Sequence, residues 1–343
     1  MDANILYFIS FTIALLIAAA ATPLCRVIAA KLNILDNPVS EIKTHKQSVP
    51  YLGGIAIAAG WVISLFIIRL FTQFPDGTLR SLRGIIYGSL IILALGFIDD
   101  KKYKGLGWKS KLLIQIAAAA IVVLGFDIKI NFVPVYWLSC AVSILWIVGI
   151  SNAFNIIDIM DGLSSGIAFI AALAFLFVSL PTEMIYVNFC AAALAGALLG
   201  FIPFNLSKSK KIFMGDTGSL FIGFILSSLA MGTSYSRINE IGLFAPLLIL
   251  AVPIFETFFV SAIRLGKGKS PFLGSKDHYA LRLEKLGFSR KKILLITYAV
   301  CLLFCACAFL FTKISVVYSL LIFSFVLFLL WAASLKLATV QIE

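Results

Sequence analysis

Ile5 to Ala30 reads ILYFISFTIALLIAAAATPLCRVIAA, and the first charged residue inside it is Arg26. About 20 consecutive apolar residues are enough to cross a bilayer core as a helix, and this run exceeds that. Ala18 to Ala21 resemble the small-residue end of a secretory signal, but the run follows Asp2 rather than a basic segment and is too long. It is read as a retained transmembrane helix. Comparable runs recur at 52–71, 84–98, 109–126, 133–150, 163–181, 185–205, 215–234, 241–263, 292–311 and 314–335, about eleven spans in all. The run at 84–98 is short and is expected to be upright or re-entrant.

Composition supports the same reading. Hydrophobic residues make up 61 % of the chain, charged residues 13 %, and mean hydropathy is +1.05; a soluble domain carries about 25 % charged residues. Unpaired backbone groups are not tolerated in hydrocarbon, so the runs must be helices and the fold class is an all-α polytopic transmembrane bundle. One membrane domain over residues 1–343 is expected, with no separate soluble domain. The cysteines (Cys25, Cys140, Cys190, Cys301, Cys305, Cys307) all lie in apolar runs without a C-x-x-C pair, which speaks against a zinc site or disulfide framework.

Of the 28 lysines and arginines, 22 fall in one alternating set of loops and helix ends and six in the other. The positive-inside rule makes the rich set cytoplasmic, placing the N-terminus outside and the C-terminus inside. The net charge of +12 is therefore mainly a topology signal, and no nucleic-acid partner is expected. The expected location is the cell membrane, multi-pass, with the active site on the cytoplasmic face.

Five polar clusters fall on that face, in loops near 31–51, 99–109, 151–162, 206–214 and 265–291. The first contains Asp36-Asn37-Pro38, Lys43-Thr44-His45-Lys46 and Pro50 to Gly54, cations beside a glycine pair whose N–H groups can approach an anion. The second is Asp99-Asp100 at the end of an apolar run, followed by lysines that include Lys111; adjacent acids at a membrane boundary call for a positive partner. The third runs from Asn152 to Leu163, with Asn152, Asn155 and Asp158 at a three-residue repeat that directs them roughly one way into the bundle, followed by Asp161. Amides and acids in so apolar a setting are costly unless they bind something, such as a nucleobase edge or a hard cation. In the fourth, Gly215-Asp216-Thr217-Gly218-Ser219 opens a helix that can present N–H groups to phosphate while Asp216 holds a metal ion. The last loop, around Lys276-Asp277-His278 and Arg282, is long and basic and is expected to cap the site. Glu256, an acid inside a helix, is expected to face the bundle and be paired.

These motifs, in this order, resemble the polyprenyl-phosphate N-acetylhexosamine-1-phosphate transferases, relatives of the phospho-N-acetylmuramoyl-pentapeptide translocases. The resemblance rests on Lys43-Thr44-His45 with Pro50 to Gly54, Asp99-Asp100, Asn152 to Leu163 and Gly215 to Ser219, and covers most of the chain. It implies transfer of a hexosamine phosphate, GlcNAc-1-phosphate first, from a UDP-N-acetylhexosamine to undecaprenyl or another polyprenyl phosphate, with release of UMP and initiation of a cell-envelope glycan. It also implies Mg²⁺, with Mn²⁺ as a substitute, and it is compatible with a homodimer.

By the same resemblance Asp99 is the catalytic base, supported by Asp100, and Asp216 and Asn155 hold the metal. Asp158 and Asp161 position the nucleotide. Lys43, His45 and Lys111 neutralise phosphates, and Asn152, Gly215, His278 and Arg282 complete the substrate contacts. Two departures stand out: Ile159 replaces a glycine of the usual Asp-Gly-x-Asp-Gly, and His278-Tyr279-Ala280-Leu281-Arg282 keeps only the first histidine of a His-x-His-His run. Restoring histidine at 280 and 281 is expected to alter sugar preference. A transporter would also keep acids within a bundle, but its polar groups should gather at mid-membrane, between inverted repeats. A non-catalytic relative is the other alternative, and Asp99, Asp100 and Asp216 weigh against it.

Overall fold

The computed structural model describes residues 3–37, 48–102, 105–182, 184–232, 235, 240–271 and 273–342. The apolar runs form α1 (Ala3–Lys31), α2 (Gly53–Phe71), α3 (Asp76–Lys101), α4 (Trp108–Ala120, extended by a π turn over Ile121–Gly125), α5 (Tyr136–Ile156), α6 (Leu163–Ser179), α7 (Ile185–Asn205) and α8 (Gly215–Leu229). They continue with α9 (Ala245–Ile249), α10 (Ala251–Gly266), the short loop helix α11 (Tyr279–Lys285), α12 (Arg290–Phe311) and α13 (Val316–Ala338). Among the described residues nine helices are long and apolar enough to cross a membrane, and up to ten if the bent α9–α10 pair counts as one span.

Three segments differ from expectation. The run at 84–98 belongs to a 26-residue helix, α3, whose N-terminal turns contain Arg80 and Arg83 and therefore read as polar in sequence. The run at 215–234 forms a helix of only 15 residues, short for a span. The run at 241–263 breaks, with a bend of 68° between Ile249 and Ala251. Pro253 explains the break, because it has no N–H to offer the carbonyl of Ile249 and its ring crowds that position.

Burial separates an inner from an outer ring. In α8 every residue except Asp216 is buried, and the apolar window of α7 is 78 % buried, whereas that of α13 is 11 % buried. Phe325, Phe328 and Trp331 on α13 face outward. An apolar face this large requires lipid around it. The chain is a polytopic helical membrane protein.

Close helix contacts draw the inner elements together. A Cβ on Gly54 of α2 would lie 2.3 Å from the backbone nitrogen of Gly218, and one on Gly96 of α3 would lie 2.5 Å from that of Thr217. Only glycine permits α2 and α3 to close on the first turn of α8. At the same end, β1 (Leu35–Asp36) and β2 (Val49–Pro50) pair antiparallel, and Phe213 N–H donates to Pro50 O at 2.9 Å. The Gly53 and Gly54 N–H groups donate to Phe213 O and Met214 O, at 2.9 and 3.1 Å. The sequence suggested that this glycine pair serves an anion; instead its donors are used by the backbone that leads into α8.

Candidate active site

The C-terminal ends of α5 and α7, the N-terminal ends of α8 and α12, α11 and the loops beside them surround a cavity of about 240 Å³. Its lining includes Asn155, Asp158, Asp161, Gly215 and Asp216, with Tyr51, Asn205, Lys211, Ser275, Leu281 and Arg290.

Asp100 closes the end of α8. Its Oδ1 accepts from Asp216 N at 3.0 Å, and its Oδ2 accepts from Thr217 N at 3.0 Å and from Thr217 Oγ1 at 2.6 Å. First-turn N–H groups have no partner within their own helix, and a carboxylate there is favoured by the helix dipole. Gly215 just before them has φ +70°, and a Cβ on it would fall 2.4 Å from Asp100 Oδ2. Both oxygens of Asp100 are therefore committed to placing Asp216.

Asp216 is held by two further helices. Its Oδ1 accepts from Asn155 Nδ2 at 2.9 Å, and the same amide nitrogen donates to Ser219 Oγ at 3.0 Å. Lys111 Nζ lies 2.6 Å from Asp216 Oδ2 and 2.7 Å from Asp99 Oδ2. Leu106 N–H donates to the other oxygen of Asp99. The ammonium thus bridges two carboxylates where the C-terminal end of α3 meets the N-terminal end of α8, the kind of positive partner that acids in an apolar bundle require.

Past the end of α5 the chain turns through Ile157 to Gly162. Asp158 faces the cavity, and burial, followed by the neighbouring Asp216, Asp161 and Asp100, raises its pKa well above the usual carboxylate range. Asp161 pairs with Lys211 at 2.6 Å. Asn205 Oδ1 accepts from Gly162 N at 2.7 Å while its Nδ2 donates to Ile212 O at 3.1 Å, so one buried amide ties the Asp158–Asp161 loop to the segment leading to Asp216.

Six assigned residues do not line the cavity: Asp99, Asp100 and Lys111 stand beside Asp216 and the first turn of α8, and the other three turn elsewhere. Asn152 turns to α4, donating to Gln115 Oε1 at 2.6 Å and to Val148 O at 2.7 Å; α5 lies between α4 and α8, so its two asparagines serve different neighbours. His278 is buried with its Nδ1 2.8 Å from Glu256 Oε1, and Tyr279 N–H donates to Glu256 Oε2 at 3.3 Å. That is the partner Glu256 was expected to have. Arg282, 1 % exposed, pairs with Asp277 at 3.1 Å and donates to Leu337 O at 3.0 Å and to Val340 O. Burial raises the pKa of Asp277, but hydrogen bonds from Lys267 and Ser275 and the charges of Lys267 and Arg282 outweigh it and hold the carboxyl below its ordinary value. Lys43 and His45 lie outside the described residues.

Sequence reasoning gave no role to Tyr51 within the Pro50 to Gly54 motif and missed Asn205, Lys211, Ser275 and Arg290. Lys211 and Arg290 had been counted only as topology charges, and Asn205 ends an apolar run with nothing around it to single it out. The Tyr51 hydroxyl is pushed far up by burial and by Asp36 and Asp100, and stays protonated.

Among the described residues no group of three or more His, Cys, Asp or Glu side chains forms a ready-made metal cage. Magnesium does not need one, because it commonly takes one or two carboxylates and fills its shell with water and substrate phosphates. The Asp216 carboxylate is a hard donor of that kind with the Asn155 amide beside it, and Lys111 marks the spot as one that attracts positive charge. The residues present fit a substrate-completed magnesium ion.

A bundle of apolar helices with carboxylates, amides and lysines gathered at one end, beside a polar cavity, defines an integral membrane protein with a charged site at one end of its helices. Residues 82–234 match the model of glycosyl transferase family 4. A Bacillus subtilis (strain 168) protein named as a probable undecaprenyl-phosphate N-acetylglucosaminyl 1-phosphate transferase is 32 % identical over 94 % of this chain and 89 % of its own length. The decaprenyl-phosphate N-acetylglucosaminephosphotransferase of Mycobacterium tuberculosis (strain CDC 1551 / Oshkosh) is 30 % identical over 83 % of this chain and 77 % of its own. The phospho-N-acetylmuramoyl-pentapeptide-transferase of Listeria monocytogenes serotype 4b (strain CLIP80459) is 30 % identical over 65 % and 74 %. The chain belongs to glycosyl transferase family 4 and is a phosphosugar transferase of the polyprenyl-phosphate N-acetylhexosamine-1-phosphate group.

Proposed function

We propose that the chain transfers N-acetylglucosamine 1-phosphate from UDP-N-acetylglucosamine to undecaprenyl phosphate or a related polyprenyl phosphate at the cytoplasmic face of the cell membrane, releasing UMP. The observation that carries this reading is the Lys111-bridged Asp99–Asp216 pair, with Asn155 on Asp216, beside a cavity at one end of an apolar bundle. The named activities of the Bacillus and Mycobacterium relatives support the choice of sugar and lipid.

An oxygen of the lipid phosphate attacks the β-phosphorus of the donor. The bond from that phosphorus to the oxygen bridging it to UMP breaks, and UMP leaves with the bridging oxygen. Asp99 takes the lipid phosphate's proton where one is present, and Lys111, next to it, draws the anionic nucleophile to the same point. Phosphoryl transfer depends on neutralisation and in-line placement, which these groups supply. Asp216 and Asn155 would hold Mg²⁺, with Mn²⁺ as a substitute, which would supply charge neutralisation at the donor diphosphate. Asp158 and Asp161 place the nucleotide, Asp161 exchanging its contact with Lys211 for the donor. By the family resemblance, Lys43 and His45 are assigned to phosphate neutralisation. The lysine-rich loops around the site support a cytoplasmic orientation, which gives a soluble donor and a membrane lipid access to one place.

Purified protein incubated with polyprenyl phosphate and a panel of UDP-N-acetylhexosamines is expected to release UMP only when both the lipid and a divalent ion are present. UMP release that ignores the lipid, or none from any donor by folded protein, would refute the reading.

A further inference from the structure

Tyr298 on α12 donates its hydroxyl to the carbonyl of Gly162 at 2.5 Å, across 136 positions of sequence. Gly162 directly follows Asp161, stands immediately before α6 as its cap and has φ +79°. Its carbonyl also accepts from Gly166 N at 2.9 Å, and its N–H is taken by Asn205. Both polar ends of the residue closing the acid-bearing loop are therefore fixed from outside that loop. The space for the ring tip is specific: a Cβ on Gly166 would stand 2.1 Å from Tyr298 Oη, and one on Gly162 would stand 3.2 Å from it. Two glycines about one helical turn apart make the socket.

The neighbouring residue on α12 holds the other wall. Thr297 Oγ1 lies 3.0 Å from Tyr279 Oη, at the start of α11, which presents Leu281 to the cavity; Arg290, at the start of α12, lines the cavity directly. One helix thus grips the Asp158–Asp161 loop through Tyr298 and the last loop through Thr297. Tyr298 itself does not line the cavity.

We propose that Tyr298 is a positioning residue for the transferase reaction: its hydroxyl sets the acid-bearing wall of the cavity against the wall carried by α11 and α12, and so governs nucleotide-sugar binding without touching the substrate. For the identity of that ligand this rests on the function proposed above. One neutral hydrogen bond changes a local equilibrium by about threefold to tenfold, which sets the size of the effect.

The full-length protein is tested as Tyr298→Phe, Gly166→Ala and the double variant. Tyr298→Phe is expected to speed amide exchange across 157–163 by about threefold to tenfold and to raise KM for UDP-N-acetylglucosamine by a similar factor, leaving KM for polyprenyl phosphate unchanged. Gly166→Ala would press on the ring as well as the hydroxyl, its Cβ 2.3 Å from Cζ, so it and the double variant should show both effects at least as strongly as Tyr298→Phe. Unchanged exchange and unchanged KM in Tyr298→Phe overturn the proposal, as does an equal loss toward both substrates. If Gly166→Ala does not fold, Tyr298→Phe decides alone. If the wild-type protein turns over no UDP-sugar, the functional reading fails and exchange across 157–163 still decides the positioning role.

Discussion

Removing the Asp100 carboxylate should loosen the first turn of α8 before it affects any chemistry. Three donors converge on its two oxygens, at 3.0, 3.0 and 2.6 Å. A hydrogen bond to a charged group contributes about 1.5–3 kcal/mol, but donors sharing two oxygens do not add fully. Against this, deleting the charge relieves repulsion from the nearby Asp216. The net cost of Asp100→Ala is expected to be about 2–3 kcal/mol, or a melting shift on the order of 5 °C for a chain of this size. Thr217→Val removes only one donor and should cost about 1 kcal/mol. Thermal unfolding of purified, ligand-free protein, followed by tryptophan fluorescence, measures both without reference to turnover. Asp100→Ala melting within about 1 °C of wild type would show that α8 does not depend on this cap.

Asp216→Asn should leave the protein folded and abolish divalent-ion-dependent UMP release; retained activity would exclude Asp216 as the metal-holding acid. Asp158 carries a raised pKa in the folded chain, so its ionised form opposes folding and the penalty grows as pH rises above the ordinary carboxylate range. Asp158→Asn should therefore raise the melting temperature of the ligand-free protein at neutral pH while weakening donor binding, checked by melting and equilibrium binding of the donor. For Asp277 the sign is opposite: its lowered pKa gives a stabilising contribution that is complete above about pH 4 and lost as pH falls through the folded value. Proteolysis of the 264–282 loop should accelerate in that acid range, and Asp277→Asn should remove the pH dependence. Leu281→His, which places an imidazole at the cavity, should change KM among UDP-sugars and not for the lipid, whereas Ala280→His should destabilise the fold by about 1–3 kcal/mol or more because Ala280 is fully buried.

Hydropathy located each apolar segment, because a lipid-facing helix declares itself in composition. It erred where a pair of charges or one proline decides: Arg80 and Arg83 hid the N-terminal turns of α3, and Pro253 broke a run that reads as continuous. In the site, Asn155, Asp158, Asp161, Gly215 and Asp216 line the cavity as their motifs suggested, since acids and amides in an apolar chain have few other uses. Sequence could not tell which polar residues find partners inside the protein. Asn152, His278 and Arg282 look as ligand-like as Asn155, but Gln115, Glu256 and the carbonyls at the end of α13 hold them. The Tyr298–Gly162 contact was equally hidden, because a tyrosine in an apolar run carries no mark of the glycine socket that receives it.

The most direct test follows the phosphorus itself. Donor UDP-N-acetylglucosamine labelled at its β-phosphate is incubated with purified protein, Mg²⁺ and undecaprenyl phosphate, and the lipid fraction and UMP are recovered. The account predicts label in a lipid-linked N-acetylglucosamine diphosphate and none in UMP, with both products lost in Asp216→Asn; label remaining on the nucleotide while the sugar moves alone to the lipid would contradict it.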